Sequence, residues 1–508
     1  MNITEVINRL NVVKLTGKVN GAVSGISYDS RSVVDGGMFF AIKGEHSDGH
    51  SFIAQAIEKG AQAVVYENDI DTKLLNHKNV MMVKVQDVRQ VLAYTAACYY
   101  GEPAKKLQLI GITGTNGKTT TSYIIKSILE ADNRKTGLIG TIHNMIGSES
   151  FSTSHTTPEA PEFQRYLKKM YDEGCQCVVT EVSSHALAQR RVDANEFNVA
   201  VFTNLTRDHL DYHKDMESYF NAKKRLFTAL LKPEAVSIIN VDDVYGQTLL
   251  KELKGLSRNV LSYGITSSAD LIASDIERTI GGLDFRIRHG GESYRVESNL
   301  RGYVNVYNIL AAFASGLALN IPIDVILRGI SELREVKGRF EPVDCGQDFF
   351  VFIDYAHTDD ALRSLLLGVR RMFIDGDSPL RHRTGKIITI FGCGGNRDTG
   401  KRPAMGKIAT TLSDFTIITS DNPRHEDTLG IIAQIEAGTE GKYDVEPDRI
   451  KAIEKGIYIA EKGDIVLIAG KGHENYQEIK GVRYPFNDRE TALRFLRKRC
   501  NGSAVGQL

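Results

Sequence analysis

Nowhere in this 508-residue chain do about eighteen apolar residues run together, which excludes a membrane-spanning helix of ordinary length. The opening segment, MNITEVINRL, has no basic stretch leading into an apolar one, so no export leader is expected and the location expected is the cytoplasm. A charge surplus is missing as well. Lys plus Arg and Asp plus Glu both number 63, so no overall field draws the protein toward nucleic acid or an anionic membrane surface, and neither is expected as a partner. Only a local basic pocket stays open. Cysteine is scarce: six are scattered along the chain, and the one close pair, Cys175 and Cys177, has no second pair or histidine cluster with which to complete a zinc site. They read as reduced core or loop thiols. Proline is rare too, 11 against 46 glycines, which favours tight turns between strands and helices over stiff linkers. Heptads, short-period repeats and low-complexity tracts are absent.

What is present is strand, loop and helix in alternation, the α/β pattern, over a length that at roughly 100 to 200 residues per domain suggests three domains. GEPAKK at Gly101 to Lys106 separates a helix-like run, VLAYTAACYY, from a new strand, and EVKGRFEPV follows the helical stretch IDVILRGISEL. These breaks predict domains over residues 1–104, 105–336 and 337–508.

The most specific segment is GITGTNGKTTT, Gly111 to Thr121, lying between the apolar strand LQLIGI and the apolar-periodic SYIIKSIL. Glycines let backbone N–H groups close around anionic oxygens, and a helix N-terminus adds roughly half a positive charge. Gly114, Thr115, Asn116, Gly117, Lys118, Thr119 and Thr120 thus read as a nucleotide phosphate loop. Lys118 would reach the terminal phosphates and the Thr119 hydroxyl would face Mg²⁺. Ile112 stands where a strict Walker A loop has glycine.

Seven further candidate strands end in polar, reactive residues, the place where ligands gather in open parallel sheets. CVVT leads to Glu181, Ser183, Ser184 and His185; VAVFT to Asn204, Asp208, His209 and Asp211; VSII to Asn240, Asp242 and Asp243. In the last third FFVFI leads to Asp354 and His357, IITIF to Gly392–Arg397, FTIIT to Asp421–Arg424, and DIVLIA to Gly470–Glu474. Any one of these is as readily a helix cap or a turn, but so many in one chain point to two ligand-bearing sheets facing a cleft.

TGTNGKTT, HTTPE, EVSSHAL, TNLTRDHLDYH, YFNAKKRLF, GRFE, DYAHT, GCGGNRDTGKRP, SDNPRHE and AGKGHE, with YDSRSVVDGGMFFAIKG and DGHSFI before them, resemble in order the motifs of the Mur ligase family. The likeness spans the chain and is closest to the family's MurE branch, which adds meso-diaminopimelate to the D-glutamate of UDP-N-acetylmuramoyl-L-alanyl-D-glutamate during peptidoglycan precursor synthesis.

The resemblance implies a smaller N-terminal α/β domain for the uridine nucleotide, a central ATPase-like domain with a mostly parallel sheet, and a Rossmann-like C-terminal domain for the amino acid. It implies ATP as co-substrate, an acyl phosphate intermediate, one Mg²⁺ held by Thr119 and Glu181 and a second by His209 with Glu181 nearby, with Lys223 carrying a CO₂-derived carbamate that orients the second ion. On this reading Ser30, His155, Thr156, Thr157, Ser183, Gln189 and Arg191 hold the nucleotide-sugar dipeptide, while Asn305, Arg339, Asp354 and His357 join the phosphate loop around ATP. Arg397, Asp421, Asn422, Pro423, Arg424, Gly470 and Glu474 form the diaminopimelate pocket. Arg424 in DNPR suits the distal carboxylate that lysine lacks, and Glu474 suits an ammonium. Asp359 stands where the family commonly has proline, which bears on the turn near His357. A monomer is expected.

Two other function classes deserve comparison. A nucleotide-dependent switch has no use for the substrate set or for DNPR, and the NKxD guanine reader of a GTPase is missing; a ligase relative reduced to binding would have lost Lys118, Glu181, His209 or Lys223.

Overall fold

Strands that read as unbroken apolar runs, such as AVVY, IITIF and IVLIA, need cover on both faces, and helices flanking a parallel sheet supply it. The computed structural model describes residues 12–17, 22–44, 47–71, 79–153, 155–278, 281–373 and 385–504; the opening MNITEVINRL lies outside them. Two compact units emerge, one of Met1–Thr113, Arg134–Ala200 and Ala222–Ala235, the other of Gly114–Asn133, Val201–Asn221 and Val236–Leu508.

In the first unit β1 (Val12–Thr16), β2 (Ile26–Ser27), β3 (Met38–Phe40), β4 (Ala63–Tyr66) and β5 (Met81–Val85) form a sheet in the order β1-β5-β4-β3-β2, antiparallel only at β1. Successive residues point to opposite faces, so Phe40, Val65 and Val83 pack with the helix Val88–Tyr99 while Phe39, Val64 and Met82 pack with Ile53–Glu58. Each such side chain contributes about 1.5–3 kcal/mol relative to exposure. The unit continues through β6 (Gln108–Thr113), β7 (Thr136–Ile139), β8 (Asn144–Ile146), β9 (Glu149–Phe151) and β10 (Cys177–Glu181) into β11 (Phe197–Phe202). Strands β7, β10 and β6 are parallel, and their register sets Glu181 beside Ile112 at the carboxyl end.

The second unit holds the helix Lys118–Ala131, which packs against the helices Val304–Ala318 and Ile323–Glu332, with the Gly329 backbone on Ile128. Strand β12 (Leu231–Asn240) pairs in parallel with β13 (Asn259–Gly264), and β13 with β14 (Leu271–Arg278). Then β15 (Leu283–His289) and β16 (Glu292–Ser298) run antiparallel, a departure from the strand-loop-helix alternation read in the sequence. The cause is local. LDFRIRH and ESYRVES alternate apolar and polar residues with period two, the mark of a sheet with one wet face, and Gly290–Gly291 turns the chain between them.

The last sheet of this unit contains β17 (Glu341–Pro342), β18 (Phe350–Asp354), β19 (Ile387–Phe391), β20 (Phe415–Ile418), β21 (Tyr443–Val445) and β22 (Ile465–Ala469). Its order is β17-β18-β22-β19-β20-β21, parallel from β18 to β21. Phe352, Phe391 and Ile418 face one set of helices, and Val351, Ile390 and Ile417 face Arg449–Ile459 and Asp488–Ala504, which is the doubly wound arrangement. A hairpin, β23 (Tyr476–Ile479) with β24 (Val482–Pro485), follows. The expected strands LQLIGI, CVVT, VAVFT, VSII, FFVFI, IITIF, FTIIT and DIVLIA are all strands here.

One buried cation ties this sheet's ends together. Arg449 is 1% exposed; its Nε and Nη2 each donate 2.8 Å to the Asp488 carboxylate, Nη1 donates to the Ser420 carbonyl and Nη2 also to that of Ala469. Those carbonyls immediately precede Asp421 and Gly470. Asp488→Ala leaves the guanidinium buried and unpaired, so urea unfolding of the full chain should show a loss of about 3–5 kcal/mol, whereas replacing both residues by apolar ones of similar volume should cost much less. An unchanged midpoint in Asp488→Ala would contradict this role.

Candidate functional site

In the first unit the residues around HTTPE, EVSSHAL and QRR converge. Glu181 is fully buried, yet both carboxylate oxygens are engaged: Oε1 accepts from the Thr141 backbone N–H at 2.8 Å and Oε2 from its hydroxyl at 2.9 Å. Gly140 permits this approach, since a Cβ there would lie 2.5 Å from Glu181 Oε1. Thr141 in turn hydrogen-bonds Thr156 across 3.0 Å. Thr157 donates to the Glu181 carbonyl and accepts from the Ser183 N–H, while Ser183 caps the short helix Ser184–Ala188. Arg191 donates to the Thr157 carbonyl, to Gln189 Oε1 and to the Glu159 carboxylate.

Thr156, Thr157, Glu181, Ser183, Gln189 and Arg191 are therefore one connected polar group. Ser30 is not joined to it by a direct contact: it is buried in the N-terminal sheet region and donates to Gln55 Oε1 at 2.7 Å. His155 is exposed, its carbonyl accepting from Thr153. Lys223, on the helix Met216–Ala229, is 1% exposed, which removes the reading of a solvated surface lysine.

In the second unit the phosphate loop begins with Gly114 at φ 148°, where a Cβ would collide with Thr203 Oγ1 at 1.9 Å. Gly117 has φ 87° and lies against Asn308 Oδ1. Only glycine accepts both the dihedral and the approach. TNLT braces the loop: Thr115 N–H donates to the Asn204 carbonyl, Asn116 N–H to Asn204 Oδ1, and the Thr203 hydroxyl to the Asn116 carbonyl at 2.6 Å. Lys118 Nζ donates to the Gly114 and Thr115 carbonyls at 2.8 Å each, so its ammonium sits over the loop. Thr119 and Thr120 are buried in the first helical turn.

Arg339 reaches this helix from the GRFE segment, with Nη2 donating to Thr119 Oγ1 at 3.1 Å and the guanidinium 4.7 Å from the Tyr355 ring centre. Asp354 accepts from the N–H groups of Phe340 and Ala356; burial raises its carboxyl, with Arg339 opposing. His357 is pushed down to about 4, first by burial and then by Lys401, against the pull of Asp208. At Asp208 burial works upward, but His209, His357 and Lys401 outweigh it and hold the carboxyl at about 2. His209 itself has φ 53° and lies 3.2 Å from Asp208. Asn305 reaches the loop through Asn308, which donates to Asn305 Oδ1 and accepts from Thr121. Asp359 takes the first position of the helix Asp359–Phe373, a site as suited to an acidic residue as to proline, and Thr358 caps it.

The DNPR and GKGHE loops meet at the end of the C-terminal sheet. Asn422 donates to Glu474 Oε2 at 2.8 Å, and Gly470, at φ 114°, places its N–H on the Asp354 carbonyl. Arg424 has φ 53°; its Nη1 donates to the Gly395 carbonyl, its Nε lies 3.9 Å from Glu478, and its Nη2 makes no hydrogen bond among the described residues. The Pro423 carbonyl accepts from Glu426 N–H. Arg397 is exposed and, among the described residues, donates only to the Asn396 carbonyl, so it stands apart from this group. The ammonium that Glu474 meets is that of Lys471, fully buried and 2.8 Å away. Burial raises the Glu474 carboxyl while Lys471 lowers it; at Asp421 burial also raises, but Lys471 and Arg449 prevail.

Several members had no sequence signal of their own. Asn308 acts through amide contacts, and Lys471 lies within GKGHE, where a lysine reads as solvated until its burial is seen. Asp360, which the motifs did not single out, accepts from Asn116 Nδ2 at 3.2 Å. Among the described residues no group of three or more His, Cys, Asp or Glu is placed to hold a metal ion.

Comparison with known proteins agrees with this layout along the whole chain. Residues 22–100 match the Mur ligase family catalytic domain, 112–316 the Mur ligase middle domain and 338–472 the Mur ligase glutamate ligase domain. The chain is 43% identical to the UDP-N-acetylmuramoyl-L-alanyl-D-glutamate–2,6-diaminopimelate ligase of Caldanaerobacter subterraneus subsp. tengcongensis over 95% of this chain and 96% of that one. It is 42% identical to the enzyme of the same name from Syntrophomonas wolfei over 98% and 99%. A solved structure of a ligase with this name superposes with TM-score 0.66 and 33% identity, covering 94% of this chain and 95% of the other. With three family domains in sequence order on three α/β sheets, and relatives this similar along nearly their full length, the chain belongs to the Mur ligase family.

Proposed function

We propose that this protein is the ATP-dependent ligase that joins meso-diaminopimelate to the D-glutamate of UDP-N-acetylmuramoyl-L-alanyl-D-glutamate, releasing ADP and phosphate, in cytoplasmic peptidoglycan precursor synthesis. The observation that carries the choice of amino acid is Arg424, a guanidinium on the DNPR loop whose Nη1 is held by the Gly395 carbonyl while Nη2 makes no hydrogen bond among the described residues. A carboxylate on the far end of diaminopimelate satisfies it; lysine leaves it desolvated and unpaired.

A carboxylate is a poor electrophile, and ATP activates it as an acyl phosphate, which the incoming amine attacks to form the amide. Transfer of a phosphoryl group between anions is catalysed by alignment and charge neutralisation more than by covalent help. Lys118 exchanges its two loop carbonyls for phosphate oxygens at the N-terminus of the helix Lys118–Ala131. Arg339, already on Thr119, neutralises the transferring group. Thr156, Thr157, Ser183, Gln189 and Arg191 orient the dipeptide end of the precursor, and Ser30 serves its nucleotide end. His155 belongs to the same substrate segment. Asn305 with Asn308, Asp354 and His357 complete the ATP site, His357 as a neutral imidazole. Asp421, Asn422, Gly470 and Glu474 receive the amino acid's ammonium end, with Pro423 shaping the turn and Arg397 closing from the exposed loop. One polypeptide carries every binding segment, and the protein works as a monomer.

The residues present suit Mg²⁺. Glu181 is a buried carboxylate and Thr119 carries a hydroxyl, both hard oxygen donors, and His209 offers a nitrogen for a second ion. With phosphate oxygens and water completing its shell, the ion would neutralise charge on the transferring phosphoryl group. Lys223, buried as it is, is the position for a carbamate formed by its deprotonated amine with CO₂, which would turn a buried cation into an oxygen ligand.

Steady-state kinetics test the amino-acid pocket. Arg424→Ala should lower kcat/KM for diaminopimelate roughly 100-fold or more while KM for ATP stays nearly constant. An equal loss on ATP would contradict the pocket. Lys223→Ala should collapse turnover at saturating substrates and recover part of it with added small carboxylates; full activity without them would rule out the carbamate.

A further inference from the structure

The DNPR and GKGHE loops contain a charge arrangement that binding an amino acid does not by itself explain. Lys471 is fully buried, and its ammonium donates 2.9 Å to Asn422 Oδ1 and 2.8 Å to Glu474 Oε2. Asn422 Nδ2 donates to the same Glu474 Oε2 at 2.8 Å, closing a three-membered ring of hydrogen bonds. Asn422 Oδ1 also accepts from the Glu478 N–H, which anchors the ring to β23. Two acceptors lie outside this ring. Glu474 Oε1 makes no hydrogen bond among the described residues, and Asp421 Oδ2 is buried without a partner. Gly470 keeps the space beside the latter open, since a Cβ there would lie 2.9 Å from Asp421 Oδ2.

Two carboxylates close together in a dry pocket repel one another and tend to share a proton. Lys471 is bound to Glu474 and its charge also acts on Asp421, while Arg449 is occupied by Asp488. We propose that Lys471 is a positioning residue for the amino-acid substrate: by engaging Asn422 and one oxygen of Glu474 it holds the other Glu474 oxygen and Asp421 Oδ2 as paired acceptors for the substrate's ammonium group. The lysine thereby contributes to affinity for the amine without touching it, and it takes no part in ATP binding. Burying a full ammonium is costly unless it is paired, and here the pairing is with the residues that the pocket must hold still.

This inference rests on the ligase reading, and one experiment separates the two. Initial rates are measured for the full chain and for Lys471→Met and Lys471→Arg, varying meso-diaminopimelate and ATP in turn, with thermal melts confirming that each variant is folded. Lys471→Met should raise KM for diaminopimelate about tenfold or more with kcat changed less than about threefold and KM for ATP unchanged, and Lys471→Arg should recover much of the loss. An unchanged diaminopimelate KM, or equal rises for both substrates, overturns the positioning role. If Lys471→Met does not fold, Lys471→Gln decides: an amino-acid KM raised alone supports the role, and wild-type constants for both substrates contradict it. Wild-type protein that forms no product with diaminopimelate would instead overturn the ligase reading itself.

Discussion

Parallel strand pairing is the constraint on which the rest of this structure depends. Because parallel strands deliver their carboxyl ends to the same edge, polar residues distant in sequence emerge side by side. In the first unit the β6–β10 register puts Ile112 opposite Glu181, and the chain leaves β6 directly into the phosphate loop. In the C-terminal sheet Asp354 pairs with Ala469 and Phe391 with Ile418, so the loops carrying His357, Gly470, Gly394 and Asp421 start from one edge. A slip of one residue in either register would turn every one of these side chains to the other face.

Register alone does not hold a loop in shape, and in each unit buried polar groups do that work. Thr141 clasps both oxygens of Glu181, and Thr203 with Asn204 binds the backbone of the phosphate loop. Arg449 gathers the carbonyls of Ser420 and Ala469 onto the last helix through Asp488, and Lys471 locks Asn422 to Glu474. Each is a buried charge or hydroxyl with its partners in place, the condition under which such groups rigidify a site rather than weaken it. The chemistry asks for this. Several anions must be brought together, and fixed donors do so at less reorganisation cost than water would demand.

The phosphate loop and the reactive strand ends were legible in the sequence because their physics is local: a glycine at positive φ, a lysine at a helix start, an apolar run that stops at a polar cluster. Thr157, Ser183 and Arg191 were gathered by motif and meet in the structure. Asn308 and Lys471 were not legible, since nothing local marks an amide that bridges two helices or a lysine whose ammonium is spent inside the protein. The meander β14–β16 was missed because the run of βα units around it masked a period-two pattern. Glu474 was read as facing a substrate ammonium, and the structure adds that one of its oxygens is already committed to Lys471.

The central claim is that Arg424 and the loops around it select an amino acid bearing a second carboxylate for attachment to an activated D-glutamate. Mass spectrometry of the product, with purified protein, Mg-ATP, UDP-N-acetylmuramoyl-L-alanyl-D-glutamate and either meso-diaminopimelate or L-lysine, addresses it most directly. The account predicts a tripeptide product and matching ADP release with diaminopimelate and essentially none with lysine; equal product from lysine would contradict the selection, and no product from either would contradict the reaction.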